Sequence, residues 1–368
     1  MTKNNRRTVA FIIPNLLMGG AENALVTVAN QWVETAEVYI ITFDSGATFF
    51  TIDKRIKIFP LHTTTTKWGY LSPVVNAAKR YFKLPKVIKK IAPNVTIPFM
   101  DTSIMWAFFA RLYTKIPMIM VFQLTPAKAI MRPLLFPLRR TLYPKADGMV
   151  VLTRDTLDIF ERLNIKLPAK QFVIPNPLNR QIVNDQGLQR EDVILGLGRL
   201  ADQKQFDILI NLFHQLQPTH WKLWIVGEGD KRTELEGLIK KYQLQDKVTL
   251  WGAQINVSEF YAKAKIFALT SYYEGFCIAL CEAMANGCAC ISFDCEVGPA
   301  DSIENNVNGI LVADQDIPAF IKGMQHLIQS PSDIERLSFN ARKIIGKLDI
   351  ETLIHEWEDA VEEVLNNR

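Results

Sequence analysis

The chain has 368 residues, enough for two domains that each bury a core of their own. Its 48% hydrophobic and 22% charged residues exclude a disordered polymer, and no apolar run reaches the ~18 residues of a membrane-spanning helix. The net charge of +4 hides an asymmetry, because residues 1–180 carry 25 Lys+Arg against 10 Asp+Glu and the remainder 17 against 28. Seventeen basic residues and a single acid, Asp101, lie between Asp53 and Asp147. A half so charged is suited to an anionic partner.

Val9 to Ile13 follows Arg6-Arg7 and imitates a secretion signal. The run is short and Pro14-Asn15 breaks it, so it reads as a first strand, and the cytosol is the expected location. Gly19 and Gly20 end a turn-rich loop, and Ala21 to Val33 has helical spacing. Strand, glycine loop and helix open a Rossmann-like unit. The two glycines would let a ligand approach the backbone, although a tight turn needs them equally. Glu37 to Thr42 and Ile56 to Leu61 are further strands.

Ser72 to Ile91 is helical in composition and strongly basic, with Lys79, Arg80, Lys83, Lys86, Lys89 and Lys90 among Tyr81, Phe82, Leu84, Val87 and Ile88. Pro85 is expected to interrupt it. Met131 to Lys145 is a second such stretch, with Arg132, Arg139, Arg140 and Lys145 among Leu134, Leu135, Phe136, Leu138 and Leu142. Each alone fits a solvated charged face. Together they favour contact with an anionic membrane surface. Nucleic acid is the rival anion, but no nucleic-acid motif is present. Asp101 stands at the carboxyl end of the strand Val95 to Phe99, where open sheets bind ligands, and serves equally as the N-cap of the helix Thr102 to Tyr113. Gln123, after Met118 to Phe122, is a second cleft-lining candidate. Gly148 to Leu152 is a strand, and Thr153 caps the helix after it. The stiff segment Pro175-Asn176-Pro177 and the change of charge sign place a boundary near Leu178 to Glu191.

The second half alternates strand and helix again. Val193 to Gly198 leads into Arg199 and Lys204, and Leu223 to Val226 into Gly227-Glu228-Gly229. Val248 to Trp251 ends in Gly252. The run Ile266 to Leu269 precedes S-Y-Y-E-G-F-C-I-A-L-C-E-A-M-A-N-G, residues Ser271 to Gly287. Here Glu274 hangs in a loop and Glu282 lies more than one turn into an apolar helix closed by Gly287. Between them sits a helix N-terminus, a natural anion site. At 1.5 Å per residue the set spans roughly 10 Å, about the size of a sugar–diphosphate–ribose unit. Glu274 would take sugar hydroxyls, the helix end a diphosphate and Glu282 the ribose hydroxyls. Either glutamate alone also reads as a solvated residue. The five cysteines, Cys277 to Cys295, lack paired metal-knuckle spacing and read as small core residues in a reducing compartment. Asp314 and Asp316 form a D-x-D string before the helix Ile317 to Gln329, where capping is favoured over a metal. The last helices run from Asp333 to about Leu365.

Ser271 to Gly287 resembles the E-x7-E signature of the retaining, nucleotide-sugar-dependent glycosyltransferases of family 4, whose bacterial members build lipopolysaccharide, capsule and glycan-lipids. G-G-A-E at Gly19, I-P-N-P at Ile174, G-R-x-x-x-x-K from Gly198 to Lys204, V-G-x-G at Val226 and S-F-D-C-x-x-G-P from Ser292 extend the likeness over nearly the whole chain. Gln205 departs from the usual glycine after the lysine. The resemblance implies an α/β chain of the GT-B fold, two Rossmann-like domains facing across a cleft, with the C-terminal helix returning to the first domain. It divides residues 1–180 (acceptor-binding), 181–350 (donor-binding) and 351–368 (returning helix). Arg199, Lys204 and Glu274 would be catalytic. Gly19, Gly20, Gly198, Gly227, Gly252, Gly275, Phe276, Cys277, Ile278 and Glu282 would bind the donor, with Asp101 and Gln123 on the acceptor side. It implies a retaining transfer from a nucleotide-sugar, expected to be a UDP-sugar, to a glycan or glycolipid acceptor at the inner membrane face, with no metal or other cofactor. An epimerase or hydrolase on the same fold, or a silent nucleotide-sugar-binding partner, are the rival functions.

Overall fold

The strands are short aliphatic runs, and helices separate most of them, which imposes parallel pairing. The computed structural model describes residues 6–17, 19–67, 69–123, 136–183, 189–217 and 219–366. It forms two units, one of Met1–Pro177 with Asp349–Arg368 and one of Leu178–Leu348. The first change of unit thus falls three residues ahead of position 180.

In the first unit β1 (Thr8–Ile13), β2 (Glu37–Thr42), β3 (Lys57–Pro60) and β4 (Val95–Pro98) pair in parallel in the order β3-β2-β1-β4. Parallel bridges Thr96–Met118 and Phe99–Val121 join them to β5 (Ile119–Val121), β6 (Gly148–Val151) and β7 (Gln171–Val173). Its helices include α1 (Gly20–Trp32), α2 (Ser72–Ile91), α3 (Met100–Thr114), α4 (Phe136–Leu142) and α5 (Arg154–Arg162). Both sheet faces are covered, so β1 is apolar and buried from Val9 to Ile13. Val9, Phe11 and Ile13 join the core under α1, while Ala10 and Ile12 join the core under α2 and α3. Thr153 caps α5 by accepting from the Thr156 N–H, as expected.

The chain's last helix, Ile350–Asn366, packs in this same unit, also as expected. Ile350, Leu353, Ile354, Trp357, Ala360, Val361 and Val364 form one buried face at helical spacing. Trp357 stacks on Phe99 with ring centroids 6.1 Å apart and meets Trp32 at 6.1 Å. Large apolar side chains contribute roughly 1.5–3 kcal/mol each on burial. The first unit therefore depends on residues at the far end of the sequence.

Two expectations fail here. α2 runs unbroken through Pro85. The ring removes only the bond to the Tyr81 carbonyl, while Leu84 and Ile88 stay buried and hold the helix in place. Arg139, expected on a basic surface, is fully buried against Asp101. Arg132, Leu134 and Leu135 of that same stretch lie outside the described residues.

The second unit holds a parallel sheet in the order β10-β9-β8-β11-β12-β13. Its strands are β8 (Glu191–Leu197), β9 (Lys222–Val226), β10 (Val248–Gly252), β11 (Ala264–Leu269), β12 (Ala289–Asp294) and β13 (Ile310–Ala313). Its helices include α6 (Phe206–Leu216), α7 (Arg232–Lys241), α8 (Ser258–Lys263), α9 (Ile278–Ala285), α10 (Ile317–Gln329) and α11 (Pro331–Ala341). Strand order reverses between β1 and β4 in one unit and between β8 and β11 in the other. Open α/β sheets bind ligands beyond the carboxyl ends of strands at such a reversal.

Candidate active site

The reversal in the second unit brings together the loop after β8 and the loop after β11. The Tyr272 N–H donates to the Gln203 carbonyl at 2.8 Å, and Gln203 Nε2 to the Tyr273 carbonyl at 2.9 Å. Thr270 Oγ1 donates to the carbonyls of Lys204 and Gln205 at 3.0 and 3.1 Å. Clamped in this way, the two loops set Lys204 Nζ 2.5 Å from Glu274 Oε1. Both side chains are largely buried, 14% and 9% exposed. Burial pulls the Lys204 ammonium down, but the charge and hydrogen bond of Glu274 outweigh it and hold its pKa above the ordinary range. Lys204 is thus a firmly charged cation whose present partner is the glutamate seventy residues on.

Two glycines make this geometry possible. A Cβ on Gly227 would lie 1.9 Å from the Gly198 carbonyl oxygen, and one on Gly198 would lie 2.7 Å from Lys204 Cε. Both have φ values that side chains rarely adopt, 144° and 153°. Gly252 ends β10, and its carbonyl accepts from the Gly227 N–H at 2.9 Å. Arg199, between Gly198 and the buried Leu200, is exposed, and its guanidinium has no partner among the described residues. Gln205 follows Lys204, where the family resemblance implies glycine. Its backbone takes φ 48°, and its side-chain amide pairs with Gln315 at 3.0 and 3.4 Å.

Gly275, Phe276, Cys277 and Ile278 lead into α9, whose first N–H groups have no intrahelical partner. Cys277 holds φ 56° at the N-cap, an uncommon conformation for a residue with a side chain. Gly298 leaves room for it, since a Cβ there would lie 2.9 Å from Cys277 Sγ. All five cysteines are free and buried. Burial raises the thiols of Cys277, Cys281, Cys288 and Cys290, with Cys281 pushed up to about 12 and Cys288 to about 11. They pack as apolar residues. Asp316 N-caps α10 through the Ala319 N–H, and Asp314 accepts from Gln315 Nε2.

Glu282 is 5% exposed, so it is no surface residue. Burial raises its carboxyl to about 7, against the lowering effect of a 2.9 Å bond from Tyr261 Oη to Oε2. Glu274 and Glu282 are both carried by the element that follows β11, one before the helix start and one inside it.

The candidates of the first unit stand at its own strand ends. Gly19 is the N-cap of α1 with extended backbone, and a Cβ on it would lie 2.2 Å from Glu22 Oε2. Gly20 is the first residue of that helix. Asp101 does not cap α3, which begins at Met100 with Phe99 in the cap position. Its carboxylate accepts from Arg139 at 3.0 and 2.6 Å and from Tyr143 Oη at 2.8 Å. The backbone turns into α3 two residues early, at Met100 with φ 69°, so the carboxylate meets α4 instead of the helix end. Gln123 is buried in a reciprocal amide pair with Asn176, at 3.1 and 2.8 Å. Both side chains are therefore engaged within the unit. Tyr261, Arg139 and Asn176 carry no local signal in the sequence that marks them as site residues. Each reads there as an ordinary core, surface or linker residue, and only tertiary contact reveals its partner.

A family model described as "Glycosyltransferase Family 4" matches residues 18–181, and one described as "Glycosyl transferases group 1" matches residues 179–344. The chain is 29% identical, over 97% of its length and 99% of the relative's, to a Campylobacter jejuni enzyme. That relative is named as the alpha-1,4-N-acetyl-D-galactosaminyltransferase of GalNAc-alpha-(1->4)-GalNAc-alpha-(1->3)-diNAcBac-PP-undecaprenol. It is 32% identical to an amylovoran biosynthesis glycosyltransferase of Erwinia amylovora, over 59% of this chain and 62% of that one. Among solved structures, Anabaena HepE in complex with UDP-glucose superposes with a TM-score of 0.82 at 17% identity, covering 98% of this chain and all of that one.

Proposed function

The chain belongs to glycosyltransferase family 4, with the GT-B fold, and from that premise we propose a retaining sugar transfer at the switch point of its second unit. The donor is a nucleotide-sugar, most simply a UDP-sugar carrying a hexosyl or N-acetylhexosaminyl unit. The acceptor is a hydroxyl of a lipid-linked glycan in surface polysaccharide assembly. The Campylobacter relative's name describes an acceptor of that kind. The observation that carries the reading is the Lys204–Glu274 pair, closed at 2.5 Å where the strand order reverses.

Chemistry follows from charge. As the bond between the anomeric carbon and the phosphate oxygen breaks, the nucleoside diphosphate gains negative charge. Arg199, exposed and unpaired among the described residues, supplies a fork for two phosphate oxygens. Lys204 supplies a point charge, and the α9 N-terminus supplies N–H donors. Glu274 accepts from hydroxyls of the sugar, and Glu282 from the vicinal ribose hydroxyls. The acceptor oxygen bonds to the anomeric carbon on the face that the diphosphate leaves, and its proton passes to a departing phosphate oxygen. The protein contributes orientation and leaving-group stabilisation, with no resident metal or cofactor.

Among the described residues no helix is long and apolar enough to cross a membrane. A lipid-linked acceptor still has to be met at a surface, and α2 offers one. Lys83, Lys86, Lys89 and Lys90 are exposed along it, Phe82 is 62% exposed, and Tyr70, Leu71 and Val74 project at its start. Exposed bases beside exposed aromatics fit the headgroup region of an anionic leaflet, at ~1 kcal/mol per cation. We place the enzyme peripherally on the inner membrane face on that ground. Turnover of a UDP-sugar panel against lipid-linked oligosaccharides tests the function. Donor hydrolysis at full rate without acceptor would favour a hydrolase instead.

A further inference from the structure

Tyr261 has no part in the chemistry above, yet it is the residue that holds Glu282. It lies on α8, fully buried, with its ring 6.0 Å from that of Phe267. Its hydroxyl donates to Glu282 Oε2 at 2.9 Å. A buried phenol pays for its polar tip only through such a bond; without a polar duty the position would suit phenylalanine. The other carboxylate oxygen, Oε1, accepts from no described residue. Tyr261 itself stays protonated, because burial and the adjacent carboxylate raise its pKa well above the usual phenol range.

We propose that Tyr261 is a positioning residue for donor binding: by holding Oε2 it locks the Glu282 carboxylate with Oε1 turned to the vicinal hydroxyls of the donor's ribose. The inference rests on the donor-site reading above. Glu282 sits on an apolar helix with a side chain of three rotatable bonds, and its own helix supplies no bond to the carboxylate. The bond from Tyr261 also favours the ionised form, which burial opposes. An ionised carboxylate accepts from two hydroxyls better than a neutral one.

The other titratable and charged groups around α9 do not touch this carboxylate. Arg190 bonds the Asn286 carbonyl at the far helix end, and Arg342 lies beside Gly287. Cys281 bonds Ser302, Cys288 points to the Tyr261 and Ala264 carbonyls, and Cys290 to the Cys288 carbonyl. Lys347 bonds the Asp301 carbonyl. Tyr261 is thus the group whose loss changes the environment of Glu282.

The test uses the full chain with Y261F, E282Q and the double variant, each assayed for donor KM and kcat between about pH 5.5 and 9, above ordinary carboxylate and below ordinary lysine titration, with a melting curve for each. Y261F should raise donor KM about tenfold with kcat within about threefold, as for one charge-assisted bond. It should also move the acid limb of kcat/KM to higher pH, because the ionised carboxylate has lost its support. In the E282Q background Y261F should change donor KM no further. Y261F that leaves both KM and the acid limb in place overturns the positioning role. So does a further KM rise in the E282Q background, which would mark a packing role. E282Q that leaves donor KM unchanged sinks the donor-site reading itself.

Discussion

Replacing Lys204 by methionine removes the cation from a nearly buried ion pair and leaves the Glu274 carboxylate 9% exposed without its partner. Breaking a buried pair from one side costs about 3–5 kcal/mol, mostly the penalty of the abandoned charge. At roughly 2–4 °C per kcal/mol for a unit of this size, K204M should melt about 6–20 °C lower. The double variant K204M/E274Q carries no abandoned charge and should regain most of that loss. Turnover should behave differently. Lys204 is assigned to the leaving diphosphate, and loss of one such stabilising group lowers kcat by about 10²–10³. The double variant, though stable, should be at least as slow as the single one. Melting curves and initial rates with saturating donor, on the same preparations, separate the two effects. Recovery of turnover along with stability would refute the assignment, since Lys204 would then serve only as the counter-ion of Glu274. Retention of turnover within about threefold in K204M would refute it as well.

Other consequences are open to direct measurement. The Glu282 carboxyl stands at about 7 in the folded chain, above its ordinary 4.5. The folded chain therefore holds this proton more tightly than the unfolded chain, so the group's contribution is most favourable below pH 4.5. It declines as pH rises to about 7 and is then constant. E282Q should accordingly stabilise the ligand-free protein above pH 7, by up to ~3 kcal/mol at 1.36 kcal/mol per pH unit, while weakening donor binding; chemical denaturation at pH 8 reads the first and titration calorimetry with UDP the second. W357A should cost about 3–5 kcal/mol in the first unit, because the ring is 2% exposed against Phe99 and Trp32; hydrogen exchange should show loss of protection in β1 and α1 with the second-unit sheet unchanged. Charge removal at Lys83, Lys86, Lys89 and Lys90 together should weaken sedimentation with anionic vesicles by up to ~4 kcal/mol at low salt; binding indifferent to both lipid charge and salt would remove the membrane assignment.

Much of this architecture can be read from residue order alone, for a stated reason. A parallel sheet buried on both faces writes its strands as aliphatic runs, such as β1 and β11, and each crossover writes a helix between them. The site is partly legible because close backbone approach demands glycine, as at Gly198 and Gly227, and because Glu274 and Glu282 flank a helix start. Contacts between distant residues are not legible in the same way. Nothing local to Asp101 announces Arg139, nothing near Gln123 announces Asn176, and Tyr261 looks like any core aromatic before β11. The continuity of α2 through Pro85 was hidden because propensity argues against it, while the burial of Leu84 and Ile88 decides it. The early start of α3 was hidden too, since it depends on a positive φ at Met100 that this side chain does not favour.

A structure of the full chain crystallised with an intact UDP-sugar tests the central claim most directly. The account places the diphosphate within about 3 Å of Arg199, Lys204 and the first N–H groups of α9, the sugar on Glu274 and the ribose on Glu282. A donor bound elsewhere in well-defined density, with the Lys204–Glu274 contact intact and Arg199 still in solvent, would contradict it.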